Sequence, residues 1–483
     1  MTSYFIGIDI GTQGARVVMI DEKGRVIASD ERVFALSDKS REEQSPLLWW
    51  DTCFSSLSRL LKEAGAIDVN HIKAIAVTST SGTVIPLDKD HRPLHDAIMY
   101  SDKRSAEQAK RCTAAAIEYH NSGYTGFNFS SGLAKMVWFA DTYPEKAGKI
   151  AKWIHAADFV TGMLSDRWGI TDYTNAFKSG YDVSNFEWPE YLFSSLQLKK
   201  EWMPEVVASG TVIGKLSPVL ASELGLPKTI EITAGITDGC ASQIASGAMN
   251  PGDWNTTIGT TMVIKGVTKK EVLDAAGRLY SHRHPAGYWM PGGASNTGAD
   301  WVTNEFGDDL PELNRQAEQI MPSGHIAYPL RQNGERFPLI CAEARGFEPE
   351  GLGRAERFTA NMEGVAYLER YAYELIEHLS GEEVNAVYTA GGGSNSDAWL
   401  TIRTNVLNKP VYKMKHVSGA VGAAILAASG THYSSIIEAA RVMTVVDKEV
   451  RPDKSLSKQY EISYKQFIEA MKKKGFMKGG FDA

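Results

Sequence analysis

Cysteine is scarce in this chain, and so is any surplus of charge. The 483 residues include four cysteines, at 53, 112, 240 and 341, with no Cys-x-x-Cys pair. That spacing excludes a zinc ribbon and gives no disulfide framework, so the cysteines read as buried thiols of a reducing compartment. Lys and Arg number 51 against 58 Asp and Glu, a formal net charge of −7, which gives no electrostatic argument for nucleic acid or an anionic membrane. The N-terminus lacks a basic segment followed by an apolar core, and the longest small-apolar run is GAVGAAILAA at 419–428. A membrane span needs roughly 18 apolar residues, so none is expected. Two familiar nucleotide signatures are also missing, the G-x-x-x-x-G-K-[ST] loop and a G-x-G-x-x-G that opens a helix. The expectation is a soluble, cytoplasmic protein with a small-molecule substrate.

With 43% hydrophobic residues, the chain is long enough for two sizeable cores. YFIGIDIG, ARVVMID and RVIASDERV are three strand-like runs, and EKG at 22–24 supplies a hairpin turn, giving an antiparallel meander. The spacing of Leu48, Trp49, Thr52, Leu57, Leu60 and Leu61 predicts a helix over PLLWWDTCFSSLSRLLKEAG, ended by Gly65. IKAIAVTST follows as a buried strand. This β-β-β-α-β series belongs to a mixed α/β sheet with helices on at least one face. The segment 104–205 is richer in helix and aromatic residues and reads as insertions on that core. After the small residues of AGITDGCASQIASGAM, WNTTIGTTMVIKGVTKK echoes the opening as strand, Gly-Thr turn, strand. A long helix, the strand AVYTAGGG and another helix follow. The division is therefore 1–248 and 249–483, two related halves that would face each other across a ligand cleft. The tail KQFIEAMKKKGFMKGG predicts a terminal helix with a basic end.

Four stretches carry chemistry. In GIDIGTQGAR, Gly11 and Gly14 allow a sharp bend that leaves amide N–H groups, Thr12 and Gln13 for phosphate oxygens, with Asp9 beside them for a hydrated magnesium ion. The same residues also make an ordinary hairpin, and both readings stand. In TIGTTMVIKG, Gly259, Thr260 and Thr261 repeat the design and could hold the other side of a triphosphate. In AGGGSNSDAW, three glycines lie between a strand and a helix, where they suit a planar base or a phosphate, or form a capped loop. In GITDGC, Asp238 could accept a proton from a substrate hydroxyl or simply cap a helix. TSTSGTVIPLD, YSDKRS and TDYTNAFKSGYD mix hydroxyls, amides and charges with an aromatic as a sugar site does, although each reads equally as surface loop and the last two read better so. His282 and His284 lack a third ligand and read as structural.

Taken in order, GIDIGTQGARVVMID, TSGTVIPLD, TDYTNAFKSGYD, GITDG, TTIGTTMVIKG, GGASNTG and AGGGSNSDAWLTIRTNVL resemble the FGGY family of carbohydrate kinases, from about residue 4 to about 430. The resemblance implies two α/β, ribonuclease-H-like domains of the actin and sugar-kinase superfamily around an ATP and sugar cleft. It implies ATP and Mg2+ as cofactors and a homodimer as the oligomer many members form. Asp9 matches the family's magnesium-associated aspartate, and Gly11, Thr12, Gln13 and Arg16 its first phosphate segment. Asp238 matches the general base, beside both sugar and metal. Gly259 and Thr260 match the second phosphate segment, and Gly391, Gly392, Gly393 and Asn395 the wall around adenosine. Ser81 and Gly82 fall at sugar contacts, and Asp102 with Arg104 in the W-x-D-x-R segment, where Tyr100 replaces the tryptophan. STSGT at 79–83, with YSHR and GGASNTG, looks like the ribulose or xylulose kinase-like branch, placing D-ribulose ahead of D-xylulose. The rivals are a kinase for another polyol or an autoinducer-2-like ketone, and a non-enzymatic actin-like ATPase or sugar sensor.

Overall fold

The structure is a computed structural model and describes residues 2–65, 67–121, 123–477 and 481. The chain divides into two compact units, the first formed by 1–245, 285–287 and 416–444, the second by 246–284, 288–415 and 445–483.

The first unit opens with β1 (Tyr4–Ile10), β2 (Gly14–Asp21) and β3 (Val26–Val33), paired antiparallel in sequence order. Asp21 closes the second turn, its carboxylate accepting from the N–H groups of Lys23 and Arg25 at 2.9 Å. α1 (Pro46–Glu63) starts at Ser45, whose hydroxyl accepts from Leu48 N. It buries Trp49, Leu57 and Leu60 as the spacing predicts, together with Cys53 and Ser56. β4 (Ile72–Ser79) pairs parallel with β1. β5 (Val212–Lys215), β6 (Glu231–Thr233) and β7 (Ile236–Thr237) complete a sheet of order β5-β6-β4-β1-β2-β3, with β7 also pairing parallel with β4. α2 (Asp238–Ala245) follows β7 directly. Residues 104–205 build largely their own apolar cluster around Trp138, Trp153, Tyr191 and Trp202. The strand Val84–Leu87, inside the polar stretch 78–88, joins a small antiparallel sheet with Lys152–His155.

The second unit repeats the plan. β8 (Asp253–Ile258) and β9 (Met262–Gly266) form the second hairpin. β10 (Tyr280–Arg283) and β11 (Trp289–Ala294) extend its edge, and α3 (Leu310–Ile320) and the long α4 (Arg354–Ser380) follow. β12 (Ala386–Ala390) pairs parallel with β8, as β4 does with β1. After α5 (Asp397–Leu407), β13 (Val411–Met414) and β14 (Val446–Val450) finish the order β10-β11-β9-β8-β12-β13-β14. The final helix is Lys454–Lys473; residues 478–480 of the expected terminal helix lie outside the described residues.

The division at 248 assigns 416–444 to the second half, whereas the structure packs this segment on the first unit. The cause is steric. The helix Gly419–Ala428 lies so close to β1 and α2 that a Cβ on Gly7 would stand 1.8 Å from Ala420 O, and one on Gly422 1.9 Å from Ala241 O. This is also the longest small-apolar run of the sequence, and it is wholly buried. Among the described residues no helix is long and apolar enough to cross a membrane.

The second unit's core closes over a buried ion pair. Arg403 of α5 donates to Glu369 of α4 at 2.8 and 2.7 Å, and to Thr389 Oγ1 of β12 at 2.6 Å. Thr389 Oγ1 donates in turn to Thr256 O of β8 at 2.9 Å. Removing one partner strands a charge in the core. Glu369→Ala should therefore lower the unfolding free energy by about 3–5 kcal/mol, while Glu369→Leu with Arg403→Met recovers most of it. Urea denaturation of the full chain checks both, and a small loss in the single variant would mean the pair does not hold this core.

Candidate active site

Parallel pairing sets the candidate residues of the first unit. Asp9 aligns with Thr78, and Thr237 with Ser79, so Asp9, the residues after Ser79 and Asp238 all stand at the C-terminal ends of β1, β4 and β7. That end of an open α/β sheet is where ligands bind. Asp9 Oδ1, Thr78 Oγ1 and Ser81 Oγ are buried and have no hydrogen-bond partner among the described residues. Burial pushes the Asp9 carboxyl up to about 7, the negative charges of Asp238 and Glu31 add to the rise, and Arg16 opposes it. The Asp9 carboxylate also abuts Gly419, where a Cβ would stand 2.6 Å from Oδ2. It therefore sits at the N-terminus of the Gly419–Ala428 helix, an end that favours negative charge. Asp238 is the first residue of α2, and its Oδ1 accepts from Gly239 N at 2.6 Å.

Two neighbouring carboxylates, one with an uncompensated buried oxygen, fit a hard divalent cation. Among the described residues no group of three or more His, Cys, Asp or Glu gathers to hold a metal. Mg2+ is commonly held by one or two carboxylates with water and substrate phosphates, and Asp9 with Asp238 matches that donor set.

The first turn is closed by Gly11 N donating to Gly14 O at 2.9 Å, with the Gln13 side chain exposed. Gln44 Nε2 holds Thr12 O at 3.0 Å, and Thr12 Oγ1 reaches Tyr100 OH at 3.4 Å. Gly14 has a reason other than a ligand, since a Cβ there would stand 2.2 Å from Arg32 O of β3. Arg16 is engaged with Glu31 at 3.0 and 2.6 Å in an exposed pair, an interaction of small energy that a phosphate could displace. Gly82 sits against Ser130 O, which a Cβ would approach to 2.1 Å. Asp102 is buried, and Arg104 donates to both its oxygens at 2.7 to 3.0 Å while also reaching Glu43 at 2.6 Å. Its place is that of an anchor for Arg104, which stacks over Trp138.

TDYTNAFKSGYD is no surface loop, because residues 171–177 are buried apart from the half-buried Tyr173. Asp172 accepts from Thr174 N and Oγ1 at 2.8 Å, and Thr174 Oγ1 accepts from Thr237 N at 2.9 Å. The segment thereby braces the strand that delivers Asp238. His282 and His284 are both buried; Lys265 Nζ donates to His282 Nδ1 at 3.0 Å, and burial holds His284 down to about 4.

In the second unit Gly259, Thr260, Gly392, Gly393 and Asn395 line one cavity of about 710 Å³, and of the residues expected there Gly391 is not in its lining. Its apolar wall includes Val302, Leu310, Pro311 and Phe358. The glycines divide their work. Gly391 has φ +85° and sits against Ile258, where a Cβ would meet the carbonyl oxygen at 2.5 Å. Gly393 packs on the Ile258 side chain, whereas Gly392 has nothing within 4 Å of a built Cβ and leaves a flat opening. The motifs do not reveal Asn314, which lines the cavity from α3 and accepts from the Ser396 hydroxyl. The signal available was helical spacing, since Asn314 stands one turn after Leu310 and both line the cavity.

Two α/β units, each a hairpin with a parallel third strand and glycine turns at the strand ends, define the two-domain sugar-kinase fold. The crystal structure of xylulose kinase from Rhodospirillum rubrum superposes with a TM-score of 0.85 at 23% identity, over 97% of this chain and 98% of that one. Xylulose kinase of Bacillus subtilis is 26% identical over 464 residues, 90% of each chain. Gluconokinase of Bacillus licheniformis is 27% identical over 455 residues, 88% of this chain and 87% of its own. The chain belongs to the FGGY family of carbohydrate kinases, matching the family's N-terminal domain over residues 4–245 and its C-terminal domain over 254–431.

The raised Asp9 carboxyl sets a pH dependence. Between the unfolded value of 3.8 and about 7, the folded chain binds more protons than the unfolded one, so stability falls as pH rises. In EDTA, wild-type protein should lose about 2–4 kcal/mol across that window, and Asp9→Asn should remove the loss. Denaturant midpoints at pH 5 and 8 check it; parallel losses in both proteins would rule out Asp9 as the source.

Proposed function

We propose that this carbohydrate kinase is a cytoplasmic enzyme that transfers the γ-phosphate of ATP to a hydroxyl of a ketopentose, D-ribulose being the first candidate and D-xylulose the second. The observation that carries the reading is the cavity in which the second Gly-Thr turn and the Gly-rich loop meet an apolar wall. Phosphates at donor-rich turns and a base against a flat glycine surface use the two kinds of lining. Asp238 accepts the proton of the attacking hydroxyl, since a carboxylate at the strand ends is positioned for it and phosphoryl transfer needs orientation and charge neutralisation above all. Gly11, Thr12 and Gln13 of the first unit present a second donor turn. Ser81 Oγ, buried without a partner among the described residues, is the hydroxyl contact we assign to the sugar. Asp9 and Asp238 are the residues that would hold Mg2+, which would supply charge neutralisation at the phosphates. The names of the similar proteins extend the candidates to gluconate, so the substrate panel needs an acid sugar beside ketoses, glycerol and a linear ketone.

ADP release measured over that panel, with the phosphate position read by NMR, tests the proposal. Turnover should be greatest with a ketopentose, and ATP hydrolysis indifferent to every sugar would reject the kinase reading. Asp238→Ala should keep ATP affinity and lose turnover by about a thousandfold or more.

A further inference from the structure

The second unit also holds a heavily hydrogen-bonded carboxylate close behind its Gly-Thr turn. Glu335 is 4% exposed. Its Oε2 accepts from Ser295 Oγ and Thr297 Oγ1 at 2.8 Å and from Tyr328 OH at 3.1 Å. Its Oε1 accepts from Asn296 N at 2.6 Å and Arg336 N at 2.9 Å. Asn296 Nδ2 further binds Gly334 O at 2.9 Å. Three consecutive residues, 295 to 297, are therefore clamped to one buried anion.

The clamped segment is the backing of the second Gly-Thr turn. Met262 N donates to Thr297 O at 2.9 Å, Ser295 N to Met262 O at 2.9 Å and Ala299 N to Gly259 O at 2.7 Å. Gly298 lies so close to the turn that a Cβ would stand 2.5 Å from Thr260 O and 2.6 Å from Thr261 Cα. With no room between 298 and 260, any displacement of 295–297 is passed to Gly259 and Thr260.

We propose that Glu335 is a positioning residue that sets the Gly259–Thr260 turn for nucleotide phosphate through its clamp on residues 295–297. It touches no substrate and acts through the backbone of another segment. A carboxylate suits the task because it accepts from hydroxyl and backbone donors at once, and hydrogen bonds to a buried charge resist distortion more than neutral ones. The inference rests on the kinase reading of the cavity.

The experiment uses the full chain, a trinitrophenyl-ATP titration without sugar, steady-state kinetics and a thermal melt. Glu335→Ala should weaken nucleotide binding and raise KM for ATP about tenfold, with KM for the sugar unchanged, as expected for loss of charged hydrogen bonds at one turn. Glu335→Gln should restore most of the affinity, because the amide oxygen still accepts from the two backbone N–H groups while the hydroxyls turn to accept from its NH2. Where Glu335→Ala gives no cooperative melt, Ser295→Ala with Thr297→Val decides, and should weaken nucleotide binding about fivefold. Folded variants with wild-type nucleotide affinity, or with nucleotide and sugar constants rising together, would overturn the inference alone. A wild-type chain that binds no nucleotide would overturn the kinase reading and this inference with it.

Discussion

Parallel pairing between the first strand of each hairpin and a later strand is the constraint on which the rest of the molecule depends. An antiparallel pair alone would return the chain to the end it came from. A parallel neighbour must instead be reached by a crossover, and its C-terminus then lies beside the hairpin turn. Ile10 stands against Ser79, and Thr257 against Ala390. Those two alignments bring residues far apart in sequence, Gly11 and Ser81 in one unit, Gly259 and Gly391 in the other, to one edge of their own sheet.

The same contrast runs through the electrostatics. Where a buried charge serves the core, its oxygens and nitrogens find partners, as in Arg403 with Glu369 or Glu335 with its ring of donors. Asp9 breaks that rule, with one buried oxygen left without a partner among the described residues and a second carboxylate nearby. Natural sequences violate polar satisfaction chiefly where function demands it. The cost of holding Asp9 charged is part of what a bound cation would relieve.

Much of this was legible in the sequence because it was written in local code. Glycine and threonine between two apolar runs announce a hairpin turn, and an aspartate inside an apolar, β-branched run is conspicuous in the bare sequence. The internal echo at 257–266 became the equivalent strand pair of a second sheet. What stayed hidden was non-local. Glu335 is one glutamate in an irregular stretch, and only the folded chain brings it to residues 295–297. Asp102 is matched to a sugar contact by its segment alone, and the sequence does not reveal that the arginine two residues on donates to both its oxygens. Gly14 looked like part of a phosphate turn and is also demanded by the adjacent strand. The burial of 171–177 was missed because polar residues satisfied by one another, as Asp172 and Thr174 are, have the composition of a loop.

The return of residues 416–444 to the first unit has a consequence for how the chain is made. Strand β1 is made well before the helix Gly419–Ala428 that covers Gly7. At translation speeds of about 5–20 residues per second, that face of β1 stays uncovered for roughly 20–80 s. During that time the first unit can form its sheet but not its full core. Its completion then waits for residues 416–444, and a nascent chain cut short before residue 419 carries an open apolar surface that marks it for chaperones or proteolysis.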